Sequence, residues 1–400
     1  MHLHTEYPFW LIKNGLSNSY PSLTKNIKTG VVIIGAGITG ALAAYYLTNA
    51  GYDVVVVDKR HAAMGSTAAS TALLQYEIDL PLRELIVKRG LEDAVKSYRL
   101  CAGAIEKLTA IAHTLKVNSF TTRPSLQFAS YASHIKPLQH EYLLRKQYGF
   151  PVTWLEADGI KEKFSLEAGG GIFSACGAET DPYELTHKLL AHAVGKGAEV
   201  FDMTEIKDIR HQPRSVLLTT TGGYTLGARY AVMATGYESY KYLPKRVDNL
   251  CSTYAIVSKP AAQQKFWYKK ALIWETTDPY NYLRTTHDNR IIIGGKDDDF
   301  SSQKKRTQAT FKKADELLAV FQKLMPQIPF VLDFAWAGVF SSTRDGLPYI
   351  GKIPERDNTF FSLGYGGNGI VFSVIAAETI TDMIRGKKNE AASLFAFNRV

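Results

Sequence analysis

A glycine-rich turn between two runs of β-branched residues constrains the fold of this chain more than any other feature. Val31–Ile34 and Val54–Val57 are typical of strands that are buried on both faces. An Ala- and Leu-rich helix pattern links them, and Gly51 follows it where a helix C-terminal glycine belongs. The turn that opens this helix consists of Gly35, Ala36, Gly37, Ile38, Thr39 and Gly40. This order predicts a βαβ unit, and therefore an α/β fold with a parallel, Rossmann-like sheet.

The glycines of the turn have separate tasks in binding a dinucleotide. Gly35 permits the tight turn, Gly37 lets the backbone approach a pyrophosphate, and Gly40 lets helix and strand pack closely. The phosphates would lie on free N–H groups at the positive end of the helix. An acid at the end of the second strand can accept hydrogen bonds from ribose hydroxyls. The candidate residues at that strand end are Asp58, Lys59 and Arg60.

A second glycine-rich segment near the C-terminus favours a flavin over a nicotinamide cofactor. It precedes a long apolar helix pattern and follows a turn at 343–351. Consecutive glycines expose N–H groups, and a helix N-terminus beside a flavin ring would stabilise negative charge on the reduced ring. The candidate residues there are Gly364, Gly366, Gly367, Asn368, Gly369 and Ile370, and those at the end of an earlier strand are Ala234, Thr235 and Gly236. FAD is therefore the predicted cofactor.

The composition argues against several other classes of protein. With 400 residues, 46% of them hydrophobic, the chain can bury a large core in two or three units. The formal charge of +9 is scattered rather than clustered, so no nucleic-acid partner is expected. Three separated cysteines and ten histidines form no metal or disulfide pattern, which favours a reducing cytoplasm. Neither a signal peptide nor a membrane span is expected.

Further motifs make the chain similar to a known family. From residue 30 onward it resembles the FAD-dependent D-amino acid oxidase (DAO) family, which includes glycine oxidase, sarcosine oxidase and γ-glutamylputrescine oxidase. The matching segments are Gly65–Ser70, Glu179–Pro182, Trp336–Gly338 and Asp345–Pro348, with the glycine loop that ends at Gly369. The cofactor contacts that the resemblance implies in addition are Ser66, Thr67, Ser70, Ile206 and Gly338.

The resemblance implies a discontinuous FAD domain and a sheet-based substrate domain, with the active site between them. We expect the FAD domain at 29–88, 168–242 and 334–400, the substrate domain at 89–167 and 243–333, and an N-terminal arm at 1–28. The implied chemistry is transfer of a hydride from a carbon beside an amine nitrogen to the flavin, after which the imine hydrolyses.

Departures from the family bear on cofactor attachment and on the substrate. Sarcosine-oxidase-like members attach flavin to a cysteine in the stretch that is 338–342 here, which contains none, and dimethylglycine-dehydrogenase-like members use a histidine where Ala69 stands. Non-covalent FAD is therefore implied. Amino-acid-oxidising relatives carry an arginine where Phe340 stands, and an aromatic ring cannot pair with a carboxylate. We expect a small amine or an N-substituted amino acid as substrate.

Other cations could replace the missing arginine. Arg284 and Tyr282 lie on a strand pattern of the expected substrate domain, and Lys296 follows a glycine pair. Arg344 stands in the turn on the flavin side. A lysine near the flavin could also assist reaction with oxygen. Together with Phe340, the residues Arg284, Lys296 and Tyr282 are the candidates for contact with the substrate.

Two other functions fit parts of the sequence. A nicotinamide-dependent dehydrogenase would use a single Rossmann unit, but it leaves the C-terminal glycine loop without a task. A flavin module that acts on modified tRNA would suit a basic chain, although basic patches are expected for that role. The electron acceptor, the oligomeric state and the identity of the substrate do not follow from the sequence.

Overall fold

The computed structural model describes residues 1–5, 7–261, 265–354, 356 and 358–399. The helices are α1 Phe9–Asn14, α2 Ile38–Asn49, α3 Ser66–Ala69, α4 Leu82–Arg89, α5 Leu91–Thr114, α6 Ala132–Gln147, α7 Ala157–Phe164, α8 Pro182–Gly195, α9 Gln303–Leu324, α10 Gly369–Ile384 and α11 Glu390–Leu394. The strands are β1 Ile27–Ile34, β2 Val54–Val57, β3 Leu73–Gln75, β4 Thr121–Thr122, β5 Ser125–Phe128, β6 Val152–Glu156, β7 Gly170–Ser174, β8 Gly177–Glu179, β9 Glu199–Phe201, β10 Ile206–Gln212, β11 Ser215–Thr220, β12 Thr225–Met233, β13 Asn249–Ser258, β14 Leu272–Glu275, β15 Tyr282–Thr285, β16 Ile291–Asp298, β17 Leu332–Ser342, β18 Tyr349–Lys352 and β19 Thr359–Leu363.

The first sheet contains the βαβ unit that the sequence predicts. Its strands follow the order β10-β11-β12-β1-β2-β9, and β19 pairs with β12 and with β18. β1 is parallel to both neighbours, with Val31 opposite Val54 on one side and Tyr230 on the other. Helix α2 packs against α8 and α10 as well as the sheet, and most of its residues are therefore buried. The carboxyl ends of β1 and β2 meet at one edge, where Gly35 and Asp58 follow them.

The second sheet lines a common cavity with the first sheet. Its strands follow the order β17-β13-β16-β15-β14-β5-β7-β6, and α9 packs on β13, β16 and β17. Leu317 and Phe321 of α9 are fully buried in the core of this layer. A small sheet, β3-β8-β4, completes the strands. The predicted class, a Rossmann-like α/β unit with a second sheet, is confirmed.

The two sheets do not divide the chain at the boundaries that the sequence suggests. β7 lies in the second sheet, between β5 and β6, although 168–242 was expected in the FAD domain. Helix α5 packs against α10 in the core of the first sheet, although 89–167 was expected in the substrate domain. A short buried strand or an amphipathic helix has the same pattern in either layer, so pairing partners decide its place.

The N-terminal arm lies along the second sheet and is partly helical. Phe9 and Trp10 of α1 are buried, each 1% exposed. Before α1, Thr5 N donates to the carbonyl of Ala337, and Val339 N donates to the carbonyl of Leu3. The arm therefore covers the outer strand β17, where unpaired backbone groups would otherwise be exposed. The first strand begins at residue 27, within the segment expected as arm.

Helix α8 begins as the sequence predicts. The side chain of Asp181 accepts hydrogen bonds from the N–H groups of Tyr183 and Glu184, at 3.0 and 3.1 Å. The side chain of Glu184 accepts from backbone N–H groups of 118 and 119 and so joins the start of α8 to the turn after α5. Among the described residues, no helix combines the length and the apolar character needed to cross a membrane.

Candidate active site

A large cavity lies between the two sheets. Its space, including the part open to solvent, amounts to about 2000 Å³. Most of the residues that the sequence predicts as cofactor contacts line it. They are Gly35, Gly37, Ile38, Thr39, Asp58, Lys59, Arg60, Ser66, Thr67, Ser70, Ile206, Ala234, Thr235, Gly236, Gly338, Gly366, Gly367, Asn368, Gly369 and Ile370. The fold thus brings the N-terminal turn and the C-terminal glycine loop to one space.

Three predicted contacts shape the cavity without lining it. Ala36 N donates to Asp58 Oδ2 at 2.8 Å, which holds the turn against the end of β2. A β-carbon on Gly40 would overlap the carbonyl of Gly35, so this glycine permits the close approach of helix and strand. Gly364 has φ +77°, and a β-carbon there would lie 2.7 Å from Thr343. These residues set the backbone path rather than face the ligand.

The start of α2 provides the geometry that a phosphate requires. Gly37 precedes the helix and, as a glycine, has no side chain that could cap the first turn. The N–H of Ile38 donates to Thr67 Oγ1 at 3.0 Å, so the second loop is joined directly to the first. The other free N–H groups of the first turn lie at the positive helix end, where anions bind.

The cations of the cavity are neutralised by a carboxylate that sequence reasoning missed. Glu238 accepts from Lys59 Nζ at 2.7 Å, Arg60 Nη2 at 3.1 Å and Lys241 Nζ at 3.3 Å. Burial opposes ionisation of Glu238, but the hydrogen bond from Lys59 and the charges of Arg60 and Lys59 lower its pKa to about 2. The N-terminal amine of Met1 adds a further contact at 3.2 Å. This cluster lies beside Asp58, whose other oxygen accepts from the Arg60 N–H.

The C-terminal glycine loop is in contact with a carboxylate. Asp79 Oδ2 accepts from Gly367 N at 2.7 Å, and its Oδ1 accepts from the hydroxyl of Tyr280 at 2.9 Å. A β-carbon on Gly367 would lie 2.7 Å from Asp79 Oδ1, so the glycine makes room for this acid. Burial raises the pKa of Asp79, and these two hydrogen bonds oppose the rise. The Gly367 N–H that was expected to face a ligand therefore serves Asp79.

Aromatic side chains of the second sheet surround this acid. Tyr280 lies 5.7 Å from Trp274 and 5.9 Å from Tyr282, measured between ring centroids. The ring of Tyr282 lies across Gly294 on the neighbouring strand, where a β-carbon would collide with it. Tyr282 and Phe340, both predicted as substrate contacts, line the cavity here. We call this part of the cavity, with Asp79, Trp274, Tyr280, Tyr282 and Asp297, the Asp79 region.

Arg284, predicted as a substrate contact, does not line the cavity. Its guanidinium donates to the carbonyls of Thr71, Thr285 and Thr180 at 2.6, 2.9 and 2.8 Å. It also lies 3.7 Å from Glu179 and is 1% exposed. Because its donors are occupied by backbone carbonyls, this placement argues against a role in substrate binding. Arg284 instead fastens the segment after α3 to the start of α8.

Lys296, the other predicted cation, is also outside the cavity lining because of a β-bulge. Ser252 pairs with Asp298 while Tyr254 pairs with Gly295, so β16 has one extra residue here. Lys296 has φ +57°, and the residue that lines the cavity is its neighbour Asp297. Bulges re-aim side chains next to active sites. The cavity wall, where the positive charge of Lys296 was expected, therefore carries the negative charge of Asp297.

Sequence reasoning missed both acids of the Asp79 region. Asp79 precedes Leu80 and Pro81 at the start of α4, where an acid resembles a helix cap. Asp297 belongs to a run of three aspartates that resembles a solvated turn. Of the residues in this region, only Tyr282 was named from the sequence, on the strand pattern that also contains Arg284.

The cavity fits FAD. The cofactor would be held by the α2 start and Thr67 at its phosphates and by Asp58 at a ribose, with the Gly366–Ile370 segment available to the ring. None of the described residues that line the cavity is a cysteine or a histidine.

Comparisons with known proteins agree with this site. The model of the family "FAD dependent oxidoreductase" (DAO) matches residues 30–383. Glycine oxidase from Bacillus licheniformis is 26% identical over 386 residues, covering 92% of this chain and 95% of that protein. Gamma-glutamylputrescine oxidoreductase from Escherichia coli (strain K12) is 22% identical, covering 92% and 86%. The crystal structure of glycine oxidase from Geobacillus kaustophilus has the same fold, with a TM-score of 0.79 at 21% identity over 93% of this chain and 99% of that one. The chain therefore belongs to the DAO family of FAD-dependent oxidoreductases.

Proposed function

We propose that this protein oxidises a C–N bond of a small amine or N-substituted amino acid. The observation that carries the proposal is that the fingerprint glycines and the aromatic residues of the second sheet line one cavity, so a cofactor and a small molecule would share it. The activities named for the relatives, on glycine and on gamma-glutamylputrescine, support an amine nitrogen at the reacting centre.

FAD, when bound, would supply the acceptor for the hydride of the carbon beside the nitrogen. As the hydride leaves, the nitrogen lone pair would form the C=N bond and the N–H proton would pass to solvent. Water would then hydrolyse the imine. The protein's part is to orient the substrate and limit the access of water. Phe340 and Trp274 supply apolar walls for this. Burial raises the pKa of Tyr282 to about 12, so its hydroxyl stays protonated and can donate a hydrogen bond.

The two alternative functions gain no support. The matching family model is that of FAD-dependent proteins, which argues against a nicotinamide dehydrogenase. The relatives described above act on small amines and amino acids, and a role on tRNA has no counterpart among them.

Cys101, Cys176 and Cys251 are all free, and a reducing cytoplasm is the compartment that we propose.

An anaerobic substrate screen tests this function. The purified protein should be yellow, and an amine or N-substituted amino acid should bleach the flavin band, with colour returning when air or an artificial electron acceptor is admitted. Free FAD with the same compounds is the control. Protein that takes up FAD but is bleached by none of a broad panel of amines and amino acids would contradict the proposal.

A further inference from the structure

The charges of the cavity are unevenly distributed. Among the described residues that line it, the cations are Lys59, Arg60 and Lys241, and all three are bound to Glu238. The Asp79 region itself contains two carboxylates, Asp79 and Asp297, and no described cation. A substrate carboxylate would therefore find repulsion here instead of a partner.

Carboxylate oxygens at this place lack hydrogen-bond partners. Within the described part of the chain, Asp297 Oδ1 is buried without a partner. Oε2 of Glu77, a cavity-lining residue that is 4% exposed, is also without one. Burying an acceptor in this way costs free energy unless a ligand satisfies it. Trp274 Nε1 and Gln75 Nε2, two donors that line the cavity, also lack partners, and Arg145 already lies 3.6 Å from Glu77. The unpaired oxygen of Asp297 therefore carries the inference: its missing partner is a hydrogen-bond donor, and a positively charged donor would also offset its charge.

The aromatic residues of the region suit the same partner. Trp274, Tyr280 and Tyr282 form a cluster in which neighbouring rings lie at 68° and 56° to each other. Ammonium groups bind to the faces of such rings, and most strongly where water is excluded. Acid and aromatic side chains together thus provide the chemistry that binds an organic cation.

We propose that the substrate is an amine with a second, positively charged nitrogen and no carboxylate, and that Asp79 and Asp297 hold that second nitrogen. This inference rests on the proposed function and narrows its substrate class. The carboxylates serve the second nitrogen because the reacting one must be uncharged: its lone pair has to form the C=N bond as the hydride leaves. A diamine meets both requirements in one short chain.

Three compounds that differ only at the end distant from the reacting amine separate the possibilities. They are putrescine, butylamine and 4-aminobutanoate, whose distant ends are cationic, apolar and anionic. With the FAD-loaded protein, putrescine should reduce the flavin with the highest second-order rate constant and 4-aminobutanoate with the lowest. Calorimetric titration of the oxidised protein with each compound measures binding independently of turnover.

Matched variants assign the selectivity to the two acids. Asp79→Asn and Asp297→Asn should each weaken putrescine binding by about 10- to 100-fold, with a much smaller effect on butylamine. Asp299→Asn removes the same charge two residues further on, where the side chain is exposed and outside the cavity, and should leave binding unchanged. If Asp79→Asn fails to fold because of its bond to Gly367, Asp297→Asn still provides the test.

The outcomes distinguish this inference from the proposed function. Stronger binding of 4-aminobutanoate than of putrescine, or equal loss in the Asp299 control, would overturn the cation site. Reduction by N-methylglycine but not by putrescine, with no binding of putrescine, would overturn it and leave the proposed function intact. Binding of putrescine that depends on Asp79 and Asp297, without reduction by any amine or amino acid, would support the cation site and overturn the proposed function.

Discussion

The carbonyl oxygen of Ala234 lies in the space that a β-carbon on Gly35 would need. Gly35 follows β1 and Ala234 follows β12, the parallel neighbour of β1, and Ala234 N donates to the carbonyl of Ile34. The backbone of the fingerprint turn therefore crosses directly over the end of an adjacent strand. This close approach, with φ +112° at Gly35, brings two segments of the candidate cofactor site together.

Gly35→Ala should therefore reduce FAD binding. The variant must relieve both the overlap with Ala234 and an unfavourable φ, at a cost of about 1–3 kcal/mol, and we expect FAD affinity to fall by about tenfold or more. Gly51→Ala is the matched control, since φ there is +85° but nothing lies within 4 Å of the added carbon. Fluorescence titration of the apoprotein with FAD measures both. Equal affinities for FAD would show that the overlap does not matter.

Asp297 should make the flavin-free protein less stable as the pH rises. Burial raises its pKa from 3.8 to about 6, with Asp79 and Asp298 acting in the same direction and Lys313 opposing. The folded state thus holds this proton more tightly than the unfolded chain, so stability is lost between about pH 4 and pH 6 and stays lost above. Asp297→Asn should be more stable by up to about 3 kcal/mol at neutral pH, and by less at about pH 5. Urea unfolding at both pH values measures this, and a pH-independent difference would contradict it.

Arg284→Lys should lower stability while leaving substrate selectivity unchanged. A lysine cannot reproduce a planar fork that serves three carbonyls, and we expect a loss of roughly 3 kcal/mol in the free energy of unfolding. Arg214→Lys, at an exposed arginine, is the control for the substitution itself. Denaturant unfolding gives the stability, and the ratio of rate constants for putrescine and 4-aminobutanoate gives the selectivity. A changed ratio with unchanged stability would restore Arg284 as a substrate contact.

His187 should make the folded protein sensitive to acid. Neither ring nitrogen has a partner within the described residues, and burial lowers its pKa to about 4, with the charge of Asp202 opposing. The unfolded chain therefore binds this proton more readily, so stability falls as the pH drops from about 6.5 towards 4, by on the order of 3 kcal/mol. His187→Phe, next to the ring of Tyr183, should remove this part of the pH dependence. Thermal unfolding across that pH range tests it, and an unchanged slope would count against the assignment.

Local patterns were sufficient for the parts of the site that are made of backbone. The fingerprint turn, the end of β2 and the start of α8 each depend on a few consecutive residues, whose conformations follow from glycine freedom, β-branching and capping. Asp58 and the glycine loop before α10 could be named for the same reason. The family membership followed from the order of these segments along the chain.

The charge of the Asp79 region was decided by tertiary structure alone. Asp79 and Gly367 are far apart in sequence and meet only because the loop before α10 packs beside β3, where the Asn368 side chain donates to the carbonyls of Gln75 and Glu77. The bulge in β16 brings Asp297 to the cavity in place of Lys296, and a one-residue shift of this kind has no separate mark in the sequence. A strand pattern shows which residues alternate but not where its register breaks. The sequence therefore determined the cofactor, and the fold determined the sign of the charge in the Asp79 region.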